Sequence, residues 1–150
     1  MIIYLGADHR GFKLKETIKA YLAQSGYQVG DLSAAMLTPD DDYPDYASAV
    51  AQKVGADFLG SRGILFCGSG VGMDIVANRF PLVRSVLAVS PDQVMASRTD
   101  DDTNILALAA DYIDAETAKK MVSVWLQTDF DEKEGHRRRL DKIRNLKLER

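Results

Sequence analysis

The densest chemistry in the sequence is Cys67-Gly68-Ser69-Gly70-Val71-Gly72. An apolar run, Ile64-Leu65-Phe66, leads into the chain's one cysteine, and Asp74-Ile75-Val76-Ala77-Asn78 follows with helix-like composition. The pattern predicts a buried strand, a tight turn and a helix start, with the thiol on the last strand residue. Glycine at every second position lets the backbone approach a ligand and aims several N–H groups at one spot. The partial positive charge of a helix N-terminus adds to that field. Such a turn would stabilise an anion formed beside it, and it would favour the thiolate of Cys67 as well. Two readings fit the stretch taken alone. One is a nucleophile or base beside an oxyanion hole, the other a buried cysteine beside a glycine turn.

A second polar cluster, Asp8-His9-Arg10-Gly11, follows the short apolar segment Met1–Ala7. After it, Phe12, Leu14, Ile18, Tyr21 and Leu22 recur at helical spacing. Polar groups at the carboxyl end of a first strand lie where open α/β sheets bind ligands. Asp8 also suits a helix N-cap. His9 falls on the turn and not on an apolar face.

These two clusters have to be positioned by the rest of the chain. Tyr27–Leu32 reads as strand two, and residues 33–44 as the longest irregular segment, whose Asp40-Asp41-Asp42 is a solvated loop or a helix approach. A helix is expected over Tyr46–Val54, and the helix after Cys67 should end near Phe80-Pro81. Arg84–Val89 reads as strand four, and Pro91-Asp92 opens a helix that runs out between Ser97 and Asn104. Ile105–Leu108 is strand five, and Asp114 caps a helix carrying Ala118, Met121, Val122, Trp125 and Leu126. After a charged break at 129–135, a last helix sets Leu140, Ile143 and Leu146 against His136, Arg137, Arg138, Arg139, Lys142 and Arg144. Strands alternating with helices imply a five-stranded parallel sheet covered on both faces, a Rossmann-like α/β fold in one domain over 1–150.

The totals exclude several classes. One cysteine rules out a disulfide framework and a multi-Cys metal centre, and two histidines, His9 and His136, disfavour a His-rich one. No apolar run reaches the ~20 residues that cross a bilayer, so a cytoplasmic location is expected. The net charge of −3 is uneven: residues 131–150 carry eight Lys/Arg against five Asp/Glu. That tail has no interleaved aromatic residues, which argues against nucleic acid as a partner. It suits a solvated helix face, or a device aimed at one small anion. The glycine spacing is GxGxG after strand three, not GxGxxG after strand one, which disfavours a dinucleotide site. No Gly-Lys-Ser/Thr phosphate loop is present.

Four segments in order carry a resemblance. They are Gly6-Ala7-Asp8-His9-Arg10-Gly11-Phe12, Asp42-Tyr43-Pro44-Asp45-Tyr46-Ala47, Cys67-Gly68-Ser69-Gly70-Val71-Gly72 with Ala77-Asn78, and Asp102-Thr103-Asn104. With the closing His136–Arg139 stretch, the chain resembles the type B ribose-5-phosphate isomerases and the galactose-6-phosphate isomerase subunits. The resemblance implies a three-layer α/β/α sandwich with strand order 2-1-3-5-4. It implies aldose–ketose isomerisation of a small sugar phosphate without metal or cofactor. It further implies a homodimer, or a dimer of such dimers, with active sites between subunits and the helix at about 135–147 crossing to the partner.

By the same resemblance Cys67 is the base that moves a proton between C1 and C2, assisted by Ser69. The amides of Gly68, Gly70, Val71 and Gly72 bind the enediolate oxygen. Asp8 and Tyr43 hold the sugar, while His9 and Arg139 lie toward the phosphate; Arg137 and Arg138 on the same helix suit either compensation for the arginine replaced by Gly135 or a solvated helix face. Asp100 is expected at the mouth of the site, where the family has a ring-opening histidine, and Asp101 follows where it commonly has asparagine. Gly135 and Asp111 replace arginines that many members carry. Three functions stay open: the family reaction, isomerisation of a different or open-chain sugar phosphate, and a subunit that kept the fold without turnover.

Overall fold

The computed structural model describes residues 1–146. Its elements are β1 (Ile2–Ala7), α1 (Phe12–Gln24), β2 (Gln28–Asp31), α2 (Tyr43–Ala56), β3 (Ser61–Cys67) and α3 (Val71–Ala77), then β4 (Ser85–Leu87), α4 (Pro91–Asp101), β5 (Ile105–Ala109), α5 (Ala115–Gln127) and α6 (Glu134–Arg144). The five strands form one parallel sheet in the order β2-β1-β3-β5-β4. This is the expected order.

Alternation along the strands divides the core. Ile3, Leu5, Ile64, Phe66, Leu106 and Leu108 face α1 and α5, where Leu14, Ile18, Leu22, Met121 and Trp125 cover them. Leu65, Cys67, Ile105 and Ala107 face α2 and α3, meeting Val50, Ala51, Val54 and Met73. Both faces are apolar because βαβ crossovers place helices on each, so β5 and the Ile64–Cys67 half of β3 are hydrophobic at every position. Lys15 breaks the apolar pattern of α1. It is buried at 1% exposure and held by Asp31 of β2 at 2.8 Å and Glu16 at 2.7 Å.

Several boundaries differ from the sequence expectation. α2 begins at Tyr43 instead of Tyr46, because Pro44 in its first turn has a φ already suited to a helix and needs no N–H donor there. α3 ends at Ala77, short of Phe80. α4 continues to Asp101, and Asp102 closes it with φ 47°, held by Arg84 and Arg98 on its two carboxylate oxygens at 2.7 Å each. β4 is three residues long. The Asp114 cap is as expected, accepting the Thr117 N–H at 2.7 Å. α6 starts at Glu134, and the expected end of this helix at Lys147 lies outside the described residues.

The topology fixes where loops go. The turns after β1, β3 and β5 share the carboxyl edge of the sheet, and the α4–β5 connection lies at the amino edge. Cys67 pairs in register with Ala109, whereas Gly63 pairs with Ile105. Four residues of strand, roughly 13 Å, separate those two ends.

Candidate active site

Cys67 ends the central strand, and its backbone then turns through Gly68, Ser69 and Gly70 into α3. Gly70 adopts φ +75°, which only glycine takes at low cost, and a Cβ there would lie 2.4 Å from Leu87 Cδ1. The turn folds the Gly70 N–H back onto Cys67 Sγ at 3.1 Å. Ser69 Oγ accepts from the Val71 N–H at 3.4 Å. The N–H groups in the first turn of α3 have no acceptor inside that helix, and α3 packs on the face of the sheet that carries Cys67.

The charge state of Cys67 corrects the sequence reading, which favoured a thiolate. Burial pushes the thiol above its ordinary value, the Gly70 N–H opposes that rise, and the Asp8 carboxylate adds to it. Contacts from Met73 and Ser69 N–H groups are too weak to reverse the balance. α3 has seven residues, so its dipole is small beside the cost of leaving water. In the free protein the group is a thiol.

Asp8 ends β1's turn as a buried carboxylate, with Oδ1 accepting the N–H groups of Arg10 at 3.0 Å and Gly11 at 2.9 Å. It therefore shapes the turn as well as lying near Cys67; Gly11, not Asp8, occupies the N-cap position of α1. Gly11 has no room for a side chain, since a Cβ would come 2.2 Å from the Phe66 carbonyl oxygen. This packs the β1–α1 turn directly on β3. Tyr43 lies over Gly72, where a Cβ would meet its Cζ at 2.5 Å. His9 donates its backbone N–H to Asp41 Oδ1 at 2.8 Å and holds the same oxygen with Nδ1 at 2.8 Å.

Asp8, His9, Tyr43, Cys67, Ser69, Gly68, Gly70, Val71 and Gly72 thus share the carboxyl edge. The remaining expected residues do not join them within the chain. Asp100 and Asp101 close α4 at the amino edge, followed only by Asp102–Asn104 before β5. α6 begins beside them, with Asp131 N–H bonded to the Thr99 carbonyl at 3.3 Å and His136 Nε2 3.8 Å from Asp100 Oδ1. Arg137 is tied to Glu132 at 2.6 Å, and Arg139 is exposed on the same helix. One end of a single chain carries the thiol and glycine turn; the opposite end carries the basic helix.

Asp100, Asp131 and His136 place ligand atoms within 4.8 Å of one another. Asp131 is already engaged by His136 Nδ1 at 2.7 Å and by Lys133 Nζ at 2.9 Å, an arrangement that suits a charge network better than a cation site.

Three residues at the carboxyl edge were not singled out as site residues from sequence. Arg10 lies across Gly68, where a Cβ would meet its Cζ at 2.2 Å, and pairs with Asp111. Asp41 turns inward to His9 although its neighbours in the acidic triplet are exposed. Arg10 lay within a quoted motif and was legible there. Asp41 had no local signal, because its partner is 32 residues away; Asp111 stood out as a replaced arginine, but its pairing with Arg10, 101 residues away, did not.

Comparison with known proteins matches this geometry. A family profile described as Ribose/Galactose Isomerase matches residues 3–143. Ribose-5-phosphate isomerase B of Escherichia coli is 38% identical over 148 residues, 99% of this chain and 97% of that one. The crystal structure of ribose-5-phosphate isomerase B from Mycoplasma genitalium, with bound ribulose-5-phosphate, superposes with TM-score 0.92 at 35% identity, covering 95% of this chain and 93% of that one. A ribose 5-phosphate isomerase from Thermotoga maritima gives TM-score 0.90 at 39% identity, covering 97% and 98%. With the family profile matched over residues 3–143 and relatives alike over nearly the whole length, this chain belongs to the ribose/galactose isomerase family.

Proposed function

We propose that the protein is an aldose–ketose isomerase acting on a small sugar phosphate, interconverting ribose 5-phosphate and ribulose 5-phosphate through an enediolate. The observation that carries the reading is the Gly70 N–H bonded to Cys67 Sγ at 3.1 Å, which puts the thiol and the glycine-turn amides at one point. Family membership supplies the substrate class.

A proton beside a carbonyl is acidic only when the developing oxyanion is stabilised, and preorganised amides supply several kcal/mol of that. Cys67 removes the C2 proton of the aldose as the carbonyl electrons move onto O1, which the Gly68–Gly72 amides receive. The thiol, its proton retained or exchanged with water, then protonates C1, and the O2 hydroxyl proton passes to O1 as C2 becomes the ketone. Ser69 assists this shuttle, and Asp8 and Tyr43 hold the sugar hydroxyls. Because burial keeps the free thiol protonated, the base forms only once the Sγ–H proton is released to water, the Gly70 N–H then holding the thiolate.

The working unit of this proposal is a homodimer. His9 approaches the phosphate from the thiol's own chain. Arg137, Arg139, Asp100 and Asp101, which lie at the far edge of the sheet, come from the partner. The exposure of α6 supports this: it has no buried residue, and Ile143 on it and Leu146 just past its end are open at 50% and 63%. Such apolar residues on a helix that, among the described residues, touches the rest of the chain only beside α4 suit a subunit contact. A second reading, preference for an open-chain sugar phosphate, is favoured by Asp100 standing where a ring-opening histidine is expected.

The test is incubation of the pure protein with ribose 5-phosphate and with tetrose phosphates in deuterated water. Ketose formation with deuterium incorporation next to the carbonyl is expected. Absence of both ketose formation and exchange with all of them would overturn the isomerase reading.

A further inference from the structure

We propose that Asp41 is the positioning residue for His9, fixing the imidazole with Nδ1 turned inward so that Nε2 is left to donate to the phosphate group of the substrate. This rests on the reading that the carboxyl edge binds a sugar phosphate. One carboxylate oxygen accepts two N–H groups of the same residue, the His9 backbone and its Nδ1, each at 2.8 Å. That double contact sets both the turn and the ring, so the imidazole cannot swing without losing a bond. The Asp41 side chain is 9% exposed, whereas that of His9 is 32% exposed and open to a ligand. The Tyr46 side chain of α2 lies near Asp41 and helps hold its carboxyl down.

Electrostatics follow from this placement. Burial pushes the Asp41 carboxyl up, but the His9 backbone, the His9 ring and Tyr46 outweigh it and hold the group below its ordinary value. An ionised Asp41 requires the proton on Nδ1. The hydrogen bond to Asp41 raises His9 above its ordinary value, against a smaller cost of burial, and the fields of Asp8, Asp41 and Asp40 add to the rise. These are the charged groups that face the ring, from the β1–α1 turn and the β2–α2 loop. The imidazolium, with Nε2–H as donor, therefore persists to higher pH than in a free histidine. A charge-assisted hydrogen bond to a phosphate oxygen is about twice as strong as a neutral one. Asp41 lies on the far side of the ring from that bond, so its own repulsion of the ligand is weaker than the contact it sets up.

A carboxylate that merely anchored the loop would leave the ring's titration alone, and this separates the two roles. The two histidines are followed by NMR across pH in the full-length protein, with His9→Gln to assign them and inorganic phosphate as the probe. In Asp41→Asn the His9 midpoint should fall. Phosphate should bind on the order of tenfold more weakly near pH 7.5, the scale of one charge-assisted bond, and the gap should narrow below both midpoints. For ribose 5-phosphate KM should rise with kcat within about twofold. Asp41→Glu should return part of each effect, and it carries the same test, through its own midpoint and phosphate affinity, should the asparagine variant fail to fold. An unchanged His9 midpoint, or a lowered midpoint with unchanged phosphate affinity at every pH, overturns the proposal. If the NMR results are as expected but ribose 5-phosphate is not turned over, the isomerase reading fails and the Asp41–His9 assignment stands.

Discussion

Arg10 reaches across the backbone of Gly68 to pair with Asp111, clasping the turns after β1 and β5 over the turn after β3. The Asp111 N–H also bonds the Gly68 carbonyl at 3.0 Å, so the clasp is anchored by main chain as well. Both charged side chains are open to water, at 55% and 41% exposure, and a pair of that kind contributes at most about 1 kcal/mol to stability. Its consequence is for ligands, because it holds a carboxylate at the edge where a phosphate would approach.

Asp111→Asn should therefore leave the melting temperature within a few degrees of the parent and lower KM for a sugar phosphate. Removing about 1 kcal/mol of repulsion corresponds to roughly fivefold, and the gain should shrink as salt is added. Steady-state kinetics at two ionic strengths decide it. A KM that does not respond at low salt would show that Asp111 does not face the ligand.

Cys67→Ala should cost at least ~10²-fold in turnover, the scale of a lost acid–base group, with little change in thermal stability. Because burial keeps the thiol protonated, alkylation of the free protein by iodoacetamide should be slow at neutral pH and accelerate only above the ordinary cysteine range. Bound substrate should protect. Rapid alkylation at pH 6 would contradict the environment described for this residue, and full activity of the alanine variant would remove it from the mechanism.

Acid should weaken the protein through Asp31. Burial pushes this carboxyl up, yet Lys15, Lys19 and the Ser33 N–H outweigh it and bring it down to about 2. A folded-state value below the unfolded one of 3.8 means that its stabilisation is complete above about pH 4 and disappears as pH falls toward 2. Asp31→Asn should lose about 2 kcal/mol at pH 7, since it also strips a partner from buried Lys15. Chemical unfolding at pH 7 and pH 3 checks this: the difference between parent and variant should be smaller at pH 3. An equal difference at both would assign the stability elsewhere.

Mixing experiments test the dimer. Cys67→Ala and the double variant Arg137→Ala, Arg139→Ala should each be inactive alone, and co-refolding should restore part of the activity through hybrid sites. Ile143→Asp with Leu146→Asp should give a folded monomer in sedimentation. A monomer with full activity would refute the shared site.

Asp100 bears on substrate choice. A carboxylate is an acceptor at neutral pH and gives a ring oxygen no proton, so cyclic ribose 5-phosphate should be turned over less efficiently than an open-chain tetrose phosphate. Asp100→His should raise kcat/KM for the pentose. If the parent already prefers ribose 5-phosphate and the histidine brings nothing, the site has not drifted.

By itself the sequence determined the layered α/β fold and the thiol-and-glycine turn, because both are written in short-range pattern. Hydrophobic strands such as Ile64–Phe66 alternate with amphipathic helices, and glycine at 68, 70 and 72 is a local requirement of the backbone. Capping residues such as Asp114 were legible for the same reason. Tertiary structure alone decided what burial does to charge. Cys67 looked like a thiolate in its turn, yet its position inside the α2–α3 layer keeps it a thiol. Asp41 looked like one of three solvated acids until the β2–α2 loop laid it on His9. The crossover connections also placed Asp100 and the basic helix at the edge opposite Cys67, because α4 must run back antiparallel to the strands before β5 begins. Desolvation and long-range pairing depend on which segments meet, and residue order alone does not contain that.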